Sequence, residues 1–234
     1  MMAELDNVAV LVDGAFLGKH IETVLNPPPP TTMAILPPRQ YPKASHFIEF
    51  AESCVNAAFE RLFRIYFYDC FPFGGQALHP LYRGKTHFRN QYYWYRYNLL
   101  KDIAQHDHVA FRSGFIQLIG WKLKDTAVGA LIAGKQLKIT PQDIMPDFKQ
   151  KCVDMKIGLD VAWLSNKRIV EKIILISNDR DFIPPMKHAR REGVKVIMAE
   201  LPALYRIMPE LREHADEIRI LKQDPSGTYK FTIQ

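Results

Sequence analysis

Long apolar runs are missing from this chain of 234 residues: no stretch of about 18 apolar residues occurs, so no membrane span is expected. Cysteine is scarce. Cys54, Cys70 and Cys152 are odd in number and lack paired metal-ligand spacing, so a reducing, cytoplasmic setting is the expectation. The opening residues Met1 to Asn7 are acidic and lack the basic and apolar regions of a signal peptide. The glycine-rich turn of a dinucleotide site is absent too, because Asp13-Gly14-Ala15-Phe16-Leu17-Gly18 does not supply the fingerprint.

Negative charge is sparse in the middle of the chain. Residues 81–140 hold ten Lys/Arg (Arg83, Lys85, Arg89, Arg96, Lys101, Arg112, Lys122, Lys124, Lys135, Lys138) against Asp102, Asp107 and Asp125, a balance of +7. The other 21 basic and 22 acidic residues sum to −1. A basic middle beside an acidic centre suits a polyanion gripped next to the point where it reacts, although a solvated surface has the same composition.

What the chain does have is a core and a set of well-placed aspartates. An apolar content of 47% suffices for a real core. Val8–Val12, Leu62–Tyr68, Val109–Phe115, Ile173–Ile176 and Val194–Met198 read as buried parallel strands, with Glu217–Leu221 as a sixth at an edge. Helical stretches separate them: Ser45–Phe59, a segment from Phe88 to Gln105, and one over Met155–Leu164. Arg190-Arg191-Glu192-Gly193 reads as a helix end followed at once by a strand. This alternation predicts an α/β fold, a Rossmann-like three-layer sandwich on a mainly parallel sheet of five or six strands.

Residues 1–234 are expected to form a single domain with two interruptions. Seven prolines within 27–42 (Pro27–Pro30, Pro37, Pro38, Pro42) predict an extended surface insertion. Trp121 to Lys149, with Gly129, Gly134, Pro141 and Pro146, reads as a long connection.

The aspartates carry the chemistry. Val8–Val12 ends in Asp13, and Ile173–Ile176 leads through Ser177 and Asn178 to Asp179 and Asp181. Asp154 opens a helix that also holds Asp160. In open α/β sheets, sites form beyond the carboxyl ends of the strands, so these residues are expected to converge. Crowded carboxylates repel unless a cation compensates, and the natural cation is Mg²⁺ or Mn²⁺. Each also has a plainer reading, as a turn or N-cap residue, and Asp181 in particular could cap the following helix. Asp160 lies about 120° around its helix from Asp154, so it is read as a supporting group. Ser177 and Asn178 could orient a phosphate oxygen or water. Gly14 is expected to permit a sharp turn beside a ligand.

These segments resemble the NYN family of PIN-like nucleases. Leu11-Val12-Asp13-Gly14 is similar to its first strand. Lys151-Cys152-Val153-Asp154, with Met155–Asp160 behind it, is similar to its lysine-x-valine-aspartate motif and following helix. Ser177-Asn178-Asp179-Arg180-Asp181-Phe182 is similar to its serine-x-aspartate-x-aspartate-phenylalanine motif. Ile65–Asp69 and Arg112-Ser113-Gly114 fall where the family has a second strand and a strand leading into a glycine. The resemblance covers about residues 8 to 221. It implies a PIN-like fold and a Mg²⁺- or Mn²⁺-dependent ribonuclease, an endoribonuclease by expectation. Its catalytic and metal-holding residues would be Asp13, Asp154, Asp179 and Asp181, with Lys151, Ser177 and Asn178 as substrate contacts; the charge of the middle segment adds Arg83, Lys85 and Arg89 as contacts to the nucleic-acid backbone. The chain departs from the pattern at Phe16, where many members carry asparagine, and at Cys152, where glycine is frequent.

The expected reaction is metal-assisted hydrolysis of an RNA phosphodiester, with DNA still open as a substrate and self-association open as an assembly state. The eight histidines are scattered and none is assigned to catalysis. In Gln91–Tyr97, helical spacing places Tyr92 and Tyr95 on the apolar face with Phe88 and Leu99, and leaves Tyr93, Trp94 and Tyr97 for exposure. Ala15 argues against a phosphatase with a second aspartate at that position, and a receiver domain is about half this length. The serious rival is a non-catalytic RNA-binding or regulatory module that keeps the fold.

Overall fold

The computed structural model describes residues 5–28, 38–82, 84–135, 138–200, 205–223 and 229–233. Arg83 and three prolines of the proline-rich stretch (Pro29, Pro30, Pro37) lie outside the described residues. The chain makes two compact units. The larger holds residues 1–69, 99–113 and 153–234, and the smaller holds 70–98 and 114–152.

In chain order the elements are β1 (Asp6–Asp13), α1 (Gly14–Leu25), α2 (Ala44–Ser53), β2 (Glu60–Asp69), β3 (Gln76–Leu78), β4 (Lys85–His87) and α3 (Gln91–Gln105). There follow β5 (Val109–Ser113), β6 (Phe115–Leu123), α4 (Asp125–Ile132), β7 (Ile144–Lys151) and α5 (Val153–Asn166). The chain closes with β8 (Lys172–Ile176), α6 (Ile183–Arg191), β9 (Lys195–Glu200), α7 (Pro209–Arg212), β10 (Glu217–Gln223) and β11 (Tyr229–Ile233).

The larger unit is the expected α/β sandwich. Its seven-stranded sheet runs β11-β10-β9-β8-β1-β2-β5, parallel throughout except for β11. Helices α1 and α2 pack together, as do α5 and α6, and these pairs flank the sheet. Val8 to Val12 are fully buried because β1 lies between β8 and β2 and is covered on both faces, which is why it reads as an unbroken apolar run. Glu217–Gln223 is not the edge strand, since Tyr229–Ile233 pairs beyond it.

Some boundaries differ from the sequence expectation for local reasons. Helix α2 stops at Ser53, well short of Phe59, because Asn56 turns the chain: its side chain accepts from Ala58 N at 3.2 Å, and its own N–H donates to Glu60 at 2.8 Å. Val109–Phe115 is two strands rather than one, broken at Gly114. Helix α6 ends at Arg191 as expected, with Gly193 at φ +84° providing the left-handed stop.

Opposite the strand ends that carry the aspartates, a buried ionic network closes the larger unit. Arg219, only 1% exposed, donates to Glu60 at 2.6 and 2.8 Å and to Glu217 at 2.6 Å, and lies over the Phe231 ring. Lys172 adds bonds of 2.8 Å to Glu60 and Asp6. Burial alone would raise the Glu60 carboxyl, but the hydrogen bonds from Arg219, Lys172 and the Asn56 N–H bring it down to about 2.

The smaller unit has an antiparallel pair β3–β4 and a longer antiparallel pair β6–β7. The stretch 121–149, which reads as a long connection, contains the end of β6, helix α4 and most of β7. Aromatic rings fill this unit: Phe73, Phe88 and Phe148 lie 5.3 to 5.5 Å apart, and His79 sits 4.7 Å from Trp121. At the start of α3 the expected exposure is reversed for one pair, with Tyr92 56% exposed and Tyr93 only 9%, whereas Trp94 is exposed as expected. Further along the helix Leu99 and Ile103 are buried as expected, and Leu100 is buried with them. Tyr93 closes over Gly74, where a Cβ would come within 2.9 Å of its hydroxyl.

Candidate functional site

Strand register brings the first two groups together. Val12 of β1 pairs with Ile176 of β8, so the next residues, Asp13 and Ser177, emerge side by side at the carboxyl end. The Ser177 hydroxyl reaches Asp13 Oδ2 at 3.4 Å. On the other side Asp13 pairs with Tyr68, and Asp69 follows. The strand order leaves β1 in opposite directions through β2 and β8, which makes this the topological switch point where open α/β sheets form sites.

Asp13 also starts α1. Its Oδ1 accepts from Phe16 N at 3.0 Å, an N-cap that satisfies one of the helix's unpaired donors. Burial pushes its carboxyl up to about 6, the charges of Asp69 and Asp154 add to this, and the Phe16 N–H and Ser177 hydroxyl oppose it. Gly14 is needed for space rather than for an unusual turn. A Cβ there would meet Phe67 at 2.5 Å and Asp69 Oδ2 at 2.8 Å.

Asp69, 3% exposed, is the carboxylate that the sequence reading passed over. Its signal was present, since Ile65-Tyr66-Phe67-Tyr68-Asp69 is an apolar run ending in a carboxylate, just as Val8–Asp13 is.

Asp179 and Asp181 sit on a 3-10 turn between β8 and α6. The capping residue is Asp179, whose Oδ1 accepts from Asp181 N at 2.9 Å, so Asp181 is not the cap. Asp154 lies in the first turn of α5, exposed. Partial burial and the charges of Asp179 and Asp181 raise its carboxyl. Just before it, Cys152 holds φ +68°, a conformation glycine enters without cost, and this is the position where the resemblance expects glycine. Asp160 points elsewhere: it accepts from Tyr68 Oη at 2.8 Å and from Arg112 at 3.0 and 3.3 Å.

An open cavity of about 530 Å³ is lined by Asp13, Phe16, Ser177, Asn178, Asp179, Arg180, Asp181 and Met208. Within it Asn178 is engaged by the chain that follows β9, donating to Arg206 O at 3.1 Å and accepting from Met208 N at 2.9 Å. Arg180 pairs with Glu210 at 2.8 Å. The basic residues read as substrate contacts belong to the smaller unit. Lys85 and Lys151 are exposed on β4 and β7, and Arg89 donates to Gly74 O at 3.1 Å. All the Lys/Arg excess of the chain lies in that unit, which holds ten basic and three acidic residues.

The donor chemistry fits a hard divalent cation. Every candidate is a carboxylate; burial raises Asp13 and Asp154 and the charges of neighbouring aspartates add to this, a cost that a bound cation would offset. Among the described residues, no three Asp, Glu, His or Cys side chains are gathered closely enough to share one ion.

Comparison with known proteins gives a family. The sequence model of the NYN domain matches residues 97–221, a span that includes Asp154, Asp179 and Asp181 and begins after Asp13. No curated protein matches the chain. Among solved structures, a protein of unknown function from Vibrio parahaemolyticus superposes with a TM-score of 0.47 and 14% identity, covering 95% of this chain and 96% of that one.

Proposed function

From the membership of this chain in the NYN domain family, a PIN-like nuclease family, we propose that it is a divalent-metal-dependent ribonuclease that hydrolyses RNA phosphodiester bonds. The observation that carries this reading is electrostatic. Asp13, Asp179 and Asp181 line one open cavity, and Asp154 feels the charge of all three.

In this reading Asp13, Asp154, Asp179 and Asp181 hold Mg²⁺ or Mn²⁺, which when bound lowers the pKa of water and stabilises charge on the phosphate. Asp13 is fixed by the Phe16 N–H on one oxygen and the Ser177 hydroxyl on the other, so its carboxylate is oriented before substrate arrives. Asp179 spends one oxygen on the turn that presents Asp181. Asn178 acts at one remove, holding Met208 and Arg206 against the cavity. Asp160 secures α5 to Tyr68 and Arg112 without contacting the ion. Lys85, Arg89, Lys151 and Arg83 supply charge for the RNA backbone.

One observation favours a second reading, a non-catalytic RNA-binding or regulatory module: the described carboxylates are not gathered about one point. A single experiment separates the two. Purified protein is incubated with mixed RNA and DNA pools in Mn²⁺, Mg²⁺ or EDTA, and the cut ends are mapped. The nuclease reading expects metal-dependent RNA cleavage that Asp13→Asn and Asp179→Asn abolish with the fold intact. Full activity in Asp179→Asn overturns the site, and RNA binding without cleavage in any metal favours the second reading.

A further inference from the structure

We propose that Phe16 is a stacking platform for one nucleobase of the substrate, which makes the carboxylate cavity a base-stacking subsite as well as a phosphate-cutting one. This rests on the nuclease reading for the identity of the ligand, a nucleotide within a strand. Among the eight lining residues six are polar or charged, and only Phe16 and Met208 are apolar. Packing against His20 and Tyr205 takes up only part of this benzyl side chain. Helix α1 buries Gly14, Leu17 and Ile21, whereas Phe16 stands off that face and stays partly exposed.

The ring is also held in place. Tyr205 and Phe16 form a T-shaped pair at 4.7 Å, His20 lies 4.4 Å away, and His20 Nδ1 is 2.7 Å from Phe16 O. Tyr205 is itself fixed by a 2.7 Å bond to Ala199 O. A ring immobilised before binding loses little freedom when a base settles on it.

Position relative to the chemistry completes the case. The Phe16 N–H donates to Asp13 Oδ1 at 3.0 Å, so ring and carboxylate are carried by one helical turn. A base stacked on Phe16 therefore sits within one nucleotide of a phosphate at the aspartates. Every base has a π-face, so the subsite favours an unpaired nucleotide over a duplex rather than one base over another.

The test is a cycle between ring and base. Single-stranded RNA oligonucleotides carrying one abasic position, scanned along the strand, are bound to Asp179→Asn protein in Mg²⁺, where cleavage does not intervene. KM and kcat are measured in parallel on the wild-type enzyme. One abasic position should weaken binding roughly 5- to 150-fold. Phe16→Ala should lose a similar factor and become indifferent to that abasic position. Phe16→Trp should keep the sensitivity, and Phe16→Leu, which preserves apolar bulk without a π-face, should behave as Phe16→Ala with the loss falling on KM more than on kcat.

Additive losses, or a Phe16→Leu protein that binds like wild type, would overturn the subsite while leaving the nuclease reading intact. A non-additive cycle in a protein that never cleaves would overturn the nuclease reading alone. Failure to bind any nucleic acid would overturn both.

Discussion

Tyr68 donates to Asp160 Oδ2 at 2.8 Å, and with Arg112 on the same carboxylate this ties α5 to the ends of β2 and β5. Burial and the Asp160 charge push the Tyr68 phenol well above its usual value, so it remains a donor throughout the working pH range. Asp160 is thereby committed to structure, whereas Asp181 stays exposed on the cavity wall. At saturating metal, Asp181→Asn should lower the cleavage rate by at least about tenfold, or 1.4 kcal/mol of barrier. Asp160→Asn should lower the melting temperature more than the rate. A larger rate loss in Asp160→Asn would place that residue on the ion.

The elevated Asp13 carboxyl predicts a pH signature in metal-free protein. Its folded value, about 6, exceeds the usual 3.8, so its stabilising contribution is complete below about 3.8 and is lost as pH rises through 6. Asp13→Asn should therefore melt higher than wild type in EDTA, with a gap that widens between pH 4 and 7 to at most about 3 kcal/mol. Adding Mg²⁺ or Mn²⁺ at pH 7 should close the gap by stabilising wild type alone. A gap independent of pH would remove Asp13 as its source.

The charge of the smaller unit predicts how RNA binding responds to salt. A log–log slope near −0.7 per phosphate neutralised is expected on a single strand. Replacing Arg83, Lys85 and Arg89 together should flatten the slope by up to about two units. An unchanged slope would move the binding surface elsewhere on the chain.

Acid stability should depend on Glu60. Its folded value of about 2 lies below the usual 4.5, so its contribution is complete above about 4.5 and is lost as pH falls through 2. Arg219→Ala would leave Glu60 to Lys172 and Glu217 to Lys195 and should cost up to about 3–5 kcal/mol at neutral pH, whereas Arg219→Met together with Glu60→Gln should cost less. Urea unfolding of the three proteins reads this directly, and equal losses would show that the pairing itself carries no energy.

Most of the sheet could be read from sequence, because parallel strands covered on both faces must be apolar without a break, as Val8–Val12 and Ile173–Ile176 are. Strands with one wetter face were harder. Phe115–Leu123 alternates between exposed and half-buried positions and Tyr229–Ile233 is short and mostly exposed, so neither gave a continuous run. The resemblance to the family named Asp13, Asp154, Asp179 and Asp181, and the structure places three of them on one cavity with the fourth in electrostatic reach. Two features of the site follow only from tertiary packing. Asn178 looks free in the motif but is engaged by Arg206 and Met208, 28 and 30 residues away. Gly14 looks like a turn residue, and only the approach of Phe67 and Asp69 shows what a side chain there would displace.

The depth of β1 has a consequence for how the cavity moves. Amide protons of Val8 to Val12, paired on both sides and shut away from solvent, should exchange with deuterium only when the whole larger unit opens. The exposed Asp179–Asp181 turn should exchange through local openings that leave β1 untouched. One bank of the cavity is thus an anchor with the lifetime of the folded state, and the other is a bank that can open locally while Asp13 keeps its place.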